Sequence, residues 1–315
     1  MVLSTQTEVG SKRLGDEKCV RMICEAGFDA LDYSMFRMQD DDYILNQPSY
    51  LEHVLEVKKI AESYGKYFNQ AHAPFPSFKV GEDTYNTVIL EKIKRSIEIA
   101  GTLGAKNIVI HPTYYGKDSR RNLELNAEFY NNLIPLCKEY NIKIACENMF
   151  GRDRRRKCII PNICSVGEEF RAMMDMLDPK YFTACVDIGH AGLVGTTAPE
   201  MLRTLGHDYV GCLHVHDNDY LEDRHCPPYF FDLDWEEITQ ALADIDYKGD
   251  FTFESDDFLV NFPDEVFPAA YKLLHDIGRS LIKKIENKKE KIYGKRTCAR
   301  RYVLFKLRKS ERISA

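Results

Sequence analysis

The 315-residue chain has no apolar run near the roughly 18 to 20 residues that a membrane-spanning helix needs. Its first residues, MVLSTQTEVGSKR, lack the basic region and the long apolar core of a secretory leader. The sequence therefore predicts a cytoplasmic protein with no membrane partner.

Cysteine is plentiful, but the spacing that a zinc cluster or a redox pair needs is absent. None of the ten cysteines forms a CxxC pair, and several lie in apolar runs such as KIACEN and FTACVD. We therefore expect buried, reduced thiols. The chain also has no serine or cysteine nucleophile motif, no phosphate-binding loop and no GxGxxG turn after its first apolar segment.

The net charge of −6 is unevenly distributed along the chain. From Glu286 onward there are eleven Lys and Arg against three Glu, so the preceding residues are more acidic than the total suggests. An acidic body repels a phosphate backbone unless a basic surface opposes it, which makes nucleic acid a disfavoured partner. The basic segment is expected to be a solvated extension, with an arm for an anionic partner as the alternative.

Apolar, β-branched segments alternate eight times with segments of helical period. The predicted strands cover residues 2–7, 30–35, 67–72, 107–112, 143–148, 182–187, 210–216 and 250–255. The predicted helices lie near residues 15–26, 50–64, 84–103, 123–140, 166–177, 198–206, 235–244 and 264–285. Eight such units predict an α/β fold, a single (β/α)8 TIM barrel over residues 1–285 followed by a basic C-terminal tail, 286–315. A doubly wound open sheet is the alternative, but polar residues end most strands rather than marking one crevice.

The segment from Leu213 to His225, LHVHDNDYLEDRH, concentrates imidazoles and carboxylates behind a short apolar run. Groups at that density are costly to bury without a cation or a charged substrate. His214 and His216 alternate with apolar residues, so we expect them on the same side of the predicted strand. We expect His216, Asp217 and Asp219 to support the ligands or the loop rather than to bind a metal directly.

Most of the other predicted strands end in the same chemistry. In a barrel the carboxyl ends of all strands meet at one mouth, so residues that are distant in sequence come together there. These residue types bind hard or borderline metal ions. The candidates are His72, His111, Glu147, Asp187, His190, His214, Asp223, His225 and Glu254. The alternative is a set of polar turns whose histidines bond only to neighbouring carbonyl groups.

The order of these residues, in the segments ACEN, VDIGHAG, LHVHD, EDRH and FTFES, resembles the xylose isomerase-like TIM-barrel superfamily over about residues 1–280. That superfamily contains sugar isomerases, ketose 3-epimerases, inosose dehydratases and endonuclease IV. The resemblance to the epimerase branch implies one divalent ion held by Glu147, Asp187, His214 and Glu254. It also implies that the two glutamates act as acid and base and that His190 contacts the substrate.

The resemblance to the endonuclease IV branch implies instead up to three zinc ions held by all nine candidates. The DNA-facing part of that branch is not matched. Residues 32–50, DYSMFRMQDDDYILNQPSY, are rich in Asp where a groove-inserting loop should be basic. Only Arg152 to Lys157, RDRRRK, is locally basic near the predicted mouth, and it suits an anionic sugar substituent as well as DNA.

From these observations we predict a divalent-metal-dependent isomerase or epimerase of a sugar or sugar phosphate. A proton next to a carbonyl is too weakly acidic for a carboxylate unless the enediolate is stabilised, and a chelating metal ion stabilises it. Manganese, zinc, magnesium and cobalt all suit the ligands. Dehydration of a cyclitol such as an inosose, zinc-dependent hydrolysis of abasic DNA, and an inactive metal-binding barrel that serves as an interaction module are the alternatives.

The predicted partner is therefore a small sugar or cyclitol. The sequence leaves the oligomeric state open, with a homo-oligomer as one alternative. Tyr114, Tyr115, Phe150 and Trp235 are candidates for the apolar walls of the substrate cavity, and core packing is the alternative for each.

Overall fold

The computed structural model describes residues 1–294, and within them eight parallel strands form the nearly closed barrel that the sequence predicts. These eight strands, and two more (β6 and β7) that lie outside the barrel, are in chain order β1 (Leu3–Gln6), β2 (Ala30–Ser34), β3 (Tyr67–His72), β4 (Asn107–Val109), β5 (Lys143–Glu147), β6 (Phe150–Asp153), β7 (Cys158–Pro161), β8 (Phe182–Asp187), β9 (Val210–His214) and β10 (Phe251–Phe253). The barrel order is β10-β1-β2-β3-β4-β5-β8-β9. A parallel bridge between Val215 and Phe253 joins the segment after β9 to β10, so the two ends of this strand order also meet.

Helices cover the outside of the barrel, as the alternating pattern predicts. They are α1 (Glu8–Leu14), α2 (Asp16–Ala26), α3 (Tyr50–Ser63), α4 (Asp83–Leu103), α5 (Ser119–Asn131), α6 (Ile134–Tyr140), α7 (Gly167–Asp175), α8 (Ile188–Leu193), α9 (Ala198–Leu205), α10 (Trp235–Asp244) and α11 (Phe267–Lys289). The single helix predicted over 123–140 is two helices, because Pro135 in the first turn of α6 cannot continue a preceding helix. The short helices α1 and α8 were not predicted.

The barrel interior contains small side chains directly beneath four of the candidate ligands. Alternate residues of a strand face the same side, so each ligand lies above the residue two positions before it. Those residues form one buried cluster of small side chains on adjacent strands: Val109, Ala145, Cys185 and Cys212. Their small volume lets the strands close tightly below the mouth.

Strands β6 and β7 form an antiparallel hairpin outside the barrel, with Gly151 paired to Ile160. No strand was predicted in this region. The hairpin is short and half-exposed, with basic residues between its strands, so it carries little of the apolar alternation that reveals a strand in sequence. It extends from the end of β5 and so stands at the edge of the barrel mouth.

The last helix, α11, continues past the predicted domain boundary to Lys289. The Nζ atom of Lys288 donates to the carbonyl of Glu236 at 2.7 Å, which ties this end of the helix to α10. Residues 295–315 of the predicted basic tail lie outside the described residues, so its separation as a tail stays a prediction. Within residues 1–294, every helix is too short or too polar to cross a membrane.

Candidate metal centre

All nine candidate ligands come together at the carboxyl ends of the barrel strands. Strands β3, β5, β8 and β9 end on one of them, and the remaining five lie in the segments that follow β4, β8, β9 and β10. They are His72, His111, Glu147, Asp187, His190, His214, Asp223, His225 and Glu254, and together with His216 they make up clusters whose ligand atoms lie within 4.8 Å of one another.

The central cluster consists of Glu147, Asp187, His214 and Glu254, and all four are buried. The Nδ1 atom of His214 lies 2.8 Å from Oε1 of Glu147 and 3.0 Å from Oε2 of Glu254. It lies 4.0 Å from Oδ2 of Asp187. Three carboxylates around one imidazole form a ligand set suited to manganese, magnesium or zinc.

A second cluster shares Glu147 with the first and adds His72 and His111. The Nε2 atom of His111 lies 2.8 Å from Oε2 of Glu147, and that of His72 lies 3.6 Å from the same oxygen. The two carboxylate oxygens of Glu147 thus face different clusters. Glu147 could therefore serve as a ligand in either cluster.

The third cluster consists of His190, Asp223 and His225, together with His216, which we had not predicted as a ligand. The Oδ2 atom of Asp223 lies 2.9 Å from Nε2 of His225 and 3.6 Å from Nε2 of His190. His216 and His225 stack with ring centroids 4.2 Å apart. The Nε2 atom of His216 lies 2.9 Å from Oδ1 of Asp187, so it links this cluster to the central one.

The ionisation of these groups follows from their mutual contacts. Burial opposes ionisation of Glu147, yet His214 and His111 hold the pKa of its carboxyl well below its ordinary value. Burial lowers the pKa of His111, which keeps that imidazole neutral with a free lone pair. Burial also disfavours a charged His190, but Asp187 and Asp223 raise its pKa to about 10.

Several buried polar atoms are left without a hydrogen bond, and a cation would satisfy them. Within residues 1–294, neither Oε2 of Glu147 nor Oδ1 of Asp223 has a hydrogen-bond partner. The Nε2 atoms of His72 and His111 lie 3.0 Å apart. A hydrogen bond between them needs a hydrogen on only one of the two nitrogens. Because buried polar atoms are normally satisfied, the residues present fit divalent metal ions.

Two residues that were not predicted as part of the site, Asn148 and Gly189, hold the ligands in place. The side-chain oxygen of Asn148 accepts a hydrogen bond of 2.7 Å from the backbone N–H of Asp187, and its carbonyl lies 2.9 Å from Nδ1 of His190. Gly189 lets α8 approach His216, since a Cβ at this glycine would lie 1.9 Å from the Cε1 atom of that ring. Asn148 follows Glu147 directly, which is the one sequence signal that could have indicated it.

The loop between β9 and α10 is organised by Asp217, in agreement with its predicted role. Its carboxylate accepts hydrogen bonds from the indole N–H of Trp235 and from four backbone N–H groups, those of Asn218, Tyr229, Phe231 and Leu233. Asp219 instead accepts from Arg224 within the same loop. These contacts hold Asp223 and His225 over the mouth.

A cavity of about 600 Å³ opens above the clusters and is large enough for a monosaccharide. Tyr114 and Phe150 line it, as predicted. Trp235 is buried against Asp217 instead, and Tyr115 packs against Phe78 with ring centroids 5.1 Å apart. The aromatic walls come mainly from segments after β2, β3, β4 and β5, where the lining residues include Phe36, Phe75, Phe78, Tyr114 and Phe150.

Arg152 on β6 is the one Lys or Arg among the residues that line this cavity. Its guanidinium pairs with Glu222 at 2.7 Å, and both side chains are about half exposed. Glu8 and Asp257 also line the cavity, so acidic groups outnumber the lysines and arginines at its walls.

Comparison with known sequences gives one family and a few distant relatives. The family model described as xylose isomerase-like TIM barrel matches residues 20–275. An uncharacterized protein of Sinorhizobium fredii is 25% identical over 255 residues, which cover 74% of this chain and 79% of that protein. An uncharacterized protein of Methanocaldococcus jannaschii is 27% identical over 198 residues, 58% of this chain and 63% of its own length, so the chain spans less than two thirds of that relative. A protein named probable endonuclease 4, from Acholeplasma laidlawii, is 26% identical over 139 residues, 41% of this chain and 45% of its own.

Solved structures share the architecture over nearly the whole chain. A D-tagatose 3-epimerase-like protein is 20% identical with a TM-score of 0.69, covering 91% of this chain and 99% of its own. An L-ribulose 3-epimerase is 15% identical with a TM-score of 0.68, covering 93% and 97%. The IolI protein with a bound zinc atom is 16% identical with a TM-score of 0.66, covering 92% and 99%. At these identities the likeness establishes the shared fold.

Proposed function

Because the chain belongs to the xylose isomerase-like TIM barrel family, we propose that it is a divalent-metal-dependent isomerase or epimerase of a carbohydrate. The observation that carries the proposal is the central cluster, in which two glutamates approach His214 Nδ1 to within 2.8 and 3.0 Å and one of them, Glu254, lines a cavity of monosaccharide size. The fold shared with ketose 3-epimerases supports it.

In this proposal Glu147, Asp187, His214 and Glu254 hold one divalent ion. When bound, the ion acts as a Lewis acid that stabilises the enediolate formed from the substrate. Glu147 ends β5 and Glu254 follows β10, and β8 and β9 separate these two strands in the barrel. The two carboxylates therefore reach a bound sugar from different sides, so one can remove a proton and the other can return it.

The remaining residues of the cavity bind and enclose the sugar. His111 and His190 line the cavity beside the clusters and donate to or accept from substrate hydroxyl groups. The aromatic walls pack against the C–H faces of the sugar and exclude water from the floor. A cytoplasmic location, a sugar or cyclitol partner and self-association stay predictions, and dehydration of a cyclitol by the same proton chemistry is a close alternative.

A second function, metal-dependent phosphodiester hydrolysis, has one specific observation in its favour. The second and third clusters provide ligands for two further ions next to the central one. Against it, Arg152 is already paired with Glu222, and Glu8 and Asp257 line the cavity. These acidic groups repel the phosphate backbone that such an enzyme must bind.

Metal content and activity measured on the same preparation separate these functions. We expect about one manganese, zinc, magnesium or cobalt ion per chain and turnover on at least one member of a panel of ketoses and inososes. Both should be lost in Glu147→Gln and Glu254→Gln and kept in Glu169→Gln, whose carboxylate accepts from Ser119 away from the site. Unchanged metal content and unchanged turnover on every active sugar in Glu147→Gln would refute the proposal. About three zinc ions with chelator-sensitive cleavage of abasic DNA would favour the second function.

A further inference from the structure

Asp32, on β2, is a buried carboxylate that none of the functions above uses. It is 1% exposed and faces the barrel interior, below the level of the central cluster. Within residues 1–294 it forms no ion pair with a lysine or an arginine. A carboxylate in such a place is costly unless another group satisfies it.

Its contacts point to His214. The Oδ2 atom of Asp32 accepts a hydrogen bond of 2.9 Å from the side-chain amide of Gln70 and lies 3.7 Å from Nε2 of His214. In the described part of the chain, Oδ1 of Asp32 and Nε2 of His214 are both buried and lack a hydrogen-bond partner. The ring nitrogen that lacks a partner therefore lies 3.7 Å from Oδ2 of a buried carboxylate whose other oxygen, Oδ1, also lacks one.

The two nitrogens of His214 have different surroundings. Its Nδ1 atom faces Glu147 and Glu254 in the central cluster, so Nδ1 is the atom directed at a metal ion. A ligand nitrogen must have a free lone pair, which places the ring hydrogen of neutral His214 on Nε2. That hydrogen is then directed toward Asp32.

We propose that Asp32 is a positioning residue that holds His214 as the Nε2–H tautomer and directs its Nδ1 atom at the metal ion. Gln70 in turn holds Asp32, so the arrangement extends from β9 through β2 to β3. A metal-bound histidine usually donates its second ring N–H to a carboxylate or a carbonyl, and loss of that partner lowers metal affinity. The inference rests on the proposed metal site and adds a residue from outside the ligand set.

The test is the affinity of the purified full chain for Zn²⁺ and Co²⁺, measured by competition with a chelator. We expect Asp32→Asn to weaken binding about 10- to 100-fold. Thr252→Val is the matched control, because Thr252 is buried on β10 and its hydroxyl accepts from Ser4 rather than from a candidate ligand. It should bind the ions as tightly as the wild type. Equal affinity in Asp32→Asn and the wild type would overturn the inference.

A second measurement uses the wild type and does not depend on how the variant folds. In the zinc-loaded chain with ¹⁵N-labelled histidine, His214 should show a metal-bound Nδ1 and an Nε2–H that exchanges slowly with water. Binding through Nε2 would overturn the inference even if the metal site itself is correct. If the wild type binds no divalent ion, both the proposed function and this inference fail. If it binds the ion through Nε2 of His214, only this inference fails, so the two failures are distinguishable.

Discussion

Replacing Glu147 with Gln is the single substitution expected to affect the site most, because the two carboxylate oxygens of Glu147 face different clusters. Oε1 lies 2.8 Å from Nδ1 of His214, and Oε2 lies 2.8 Å from Nε2 of His111. The side chain is fully buried, so solvent cannot take the place of the lost charge. Glutamine keeps the shape of the residue, and the substitution therefore reports on charge and ligand strength rather than on packing.

Two separate magnitudes follow for this variant. In the metal-free protein, removing one partner of a buried charge pair costs about 3–5 kcal/mol of unfolding free energy. With metal at 100 times the wild-type Kd, binding stabilises the wild type by about 2.7 kcal/mol. If the lost ligand weakens binding by about 100-fold, the same metal concentration stabilises the variant by only about 0.4 kcal/mol.

Chemical denaturation with chelator and with added Zn²⁺ measures both quantities, and Glu169→Gln serves as the control. Glu169 accepts hydrogen bonds from Ser119 and from the backbone N–H of Cys164, so its loss should lower stability equally with and without metal. The reasoning would be refuted if zinc stabilised Glu147→Gln as strongly as it stabilises the wild type.

Three further predictions concern residues around the site. Burial raises the pKa of Glu8 from its ordinary 4.5 to about 7. The Glu8 carboxyl group therefore lowers the free energy of unfolding by its full amount above pH 7, by progressively less between pH 7 and 4.5, and not at all below pH 4.5. With chelator present, the stability gained by Glu8→Gln should therefore grow by about 2 kcal/mol between pH 5 and pH 8 in urea denaturation, and a constant difference would contradict the assignment. Asp217→Ala leaves buried N–H donors unsatisfied and should cost at least about 3 kcal/mol, with faster proteolysis between residues 218 and 234; an unchanged cleavage pattern would count against this role. Gly189→Ala should destabilise the folded protein by about 1–3 kcal/mol, because the new Cβ meets the ring of His216. Helix propensity alone would make alanine stabilising, so the sign of the stability change measured by calorimetry distinguishes the two.

Strand positions were predictable because they depend on local pattern. Several barrel strands, such as β5 and β8, are short and largely apolar, and polar chemistry begins where they end, at Glu147 and Asp187. Parallel strands buried on both faces read as continuous apolar segments, so eight of them separated by helical periods indicate the barrel without tertiary information. The hairpin of β6 and β7 was not predicted because its strands are short and half-exposed and a basic turn separates them.

The sequence by itself determined the barrel and the nine candidate ligands, since both follow from residue types and their order along the chain. Only the tertiary structure decided how those ligands group into overlapping clusters, because the grouping depends on distances between strands that are far apart in sequence. It also decided that His216 contacts Asp187 and that Asp32 faces His214. Neither pairing has a local pattern: Asp187 and the segment after β9 meet because β8 and β9 are neighbours in the sheet, and Asp32 on β2 meets His214 on β9 only when the sheet curls into a barrel.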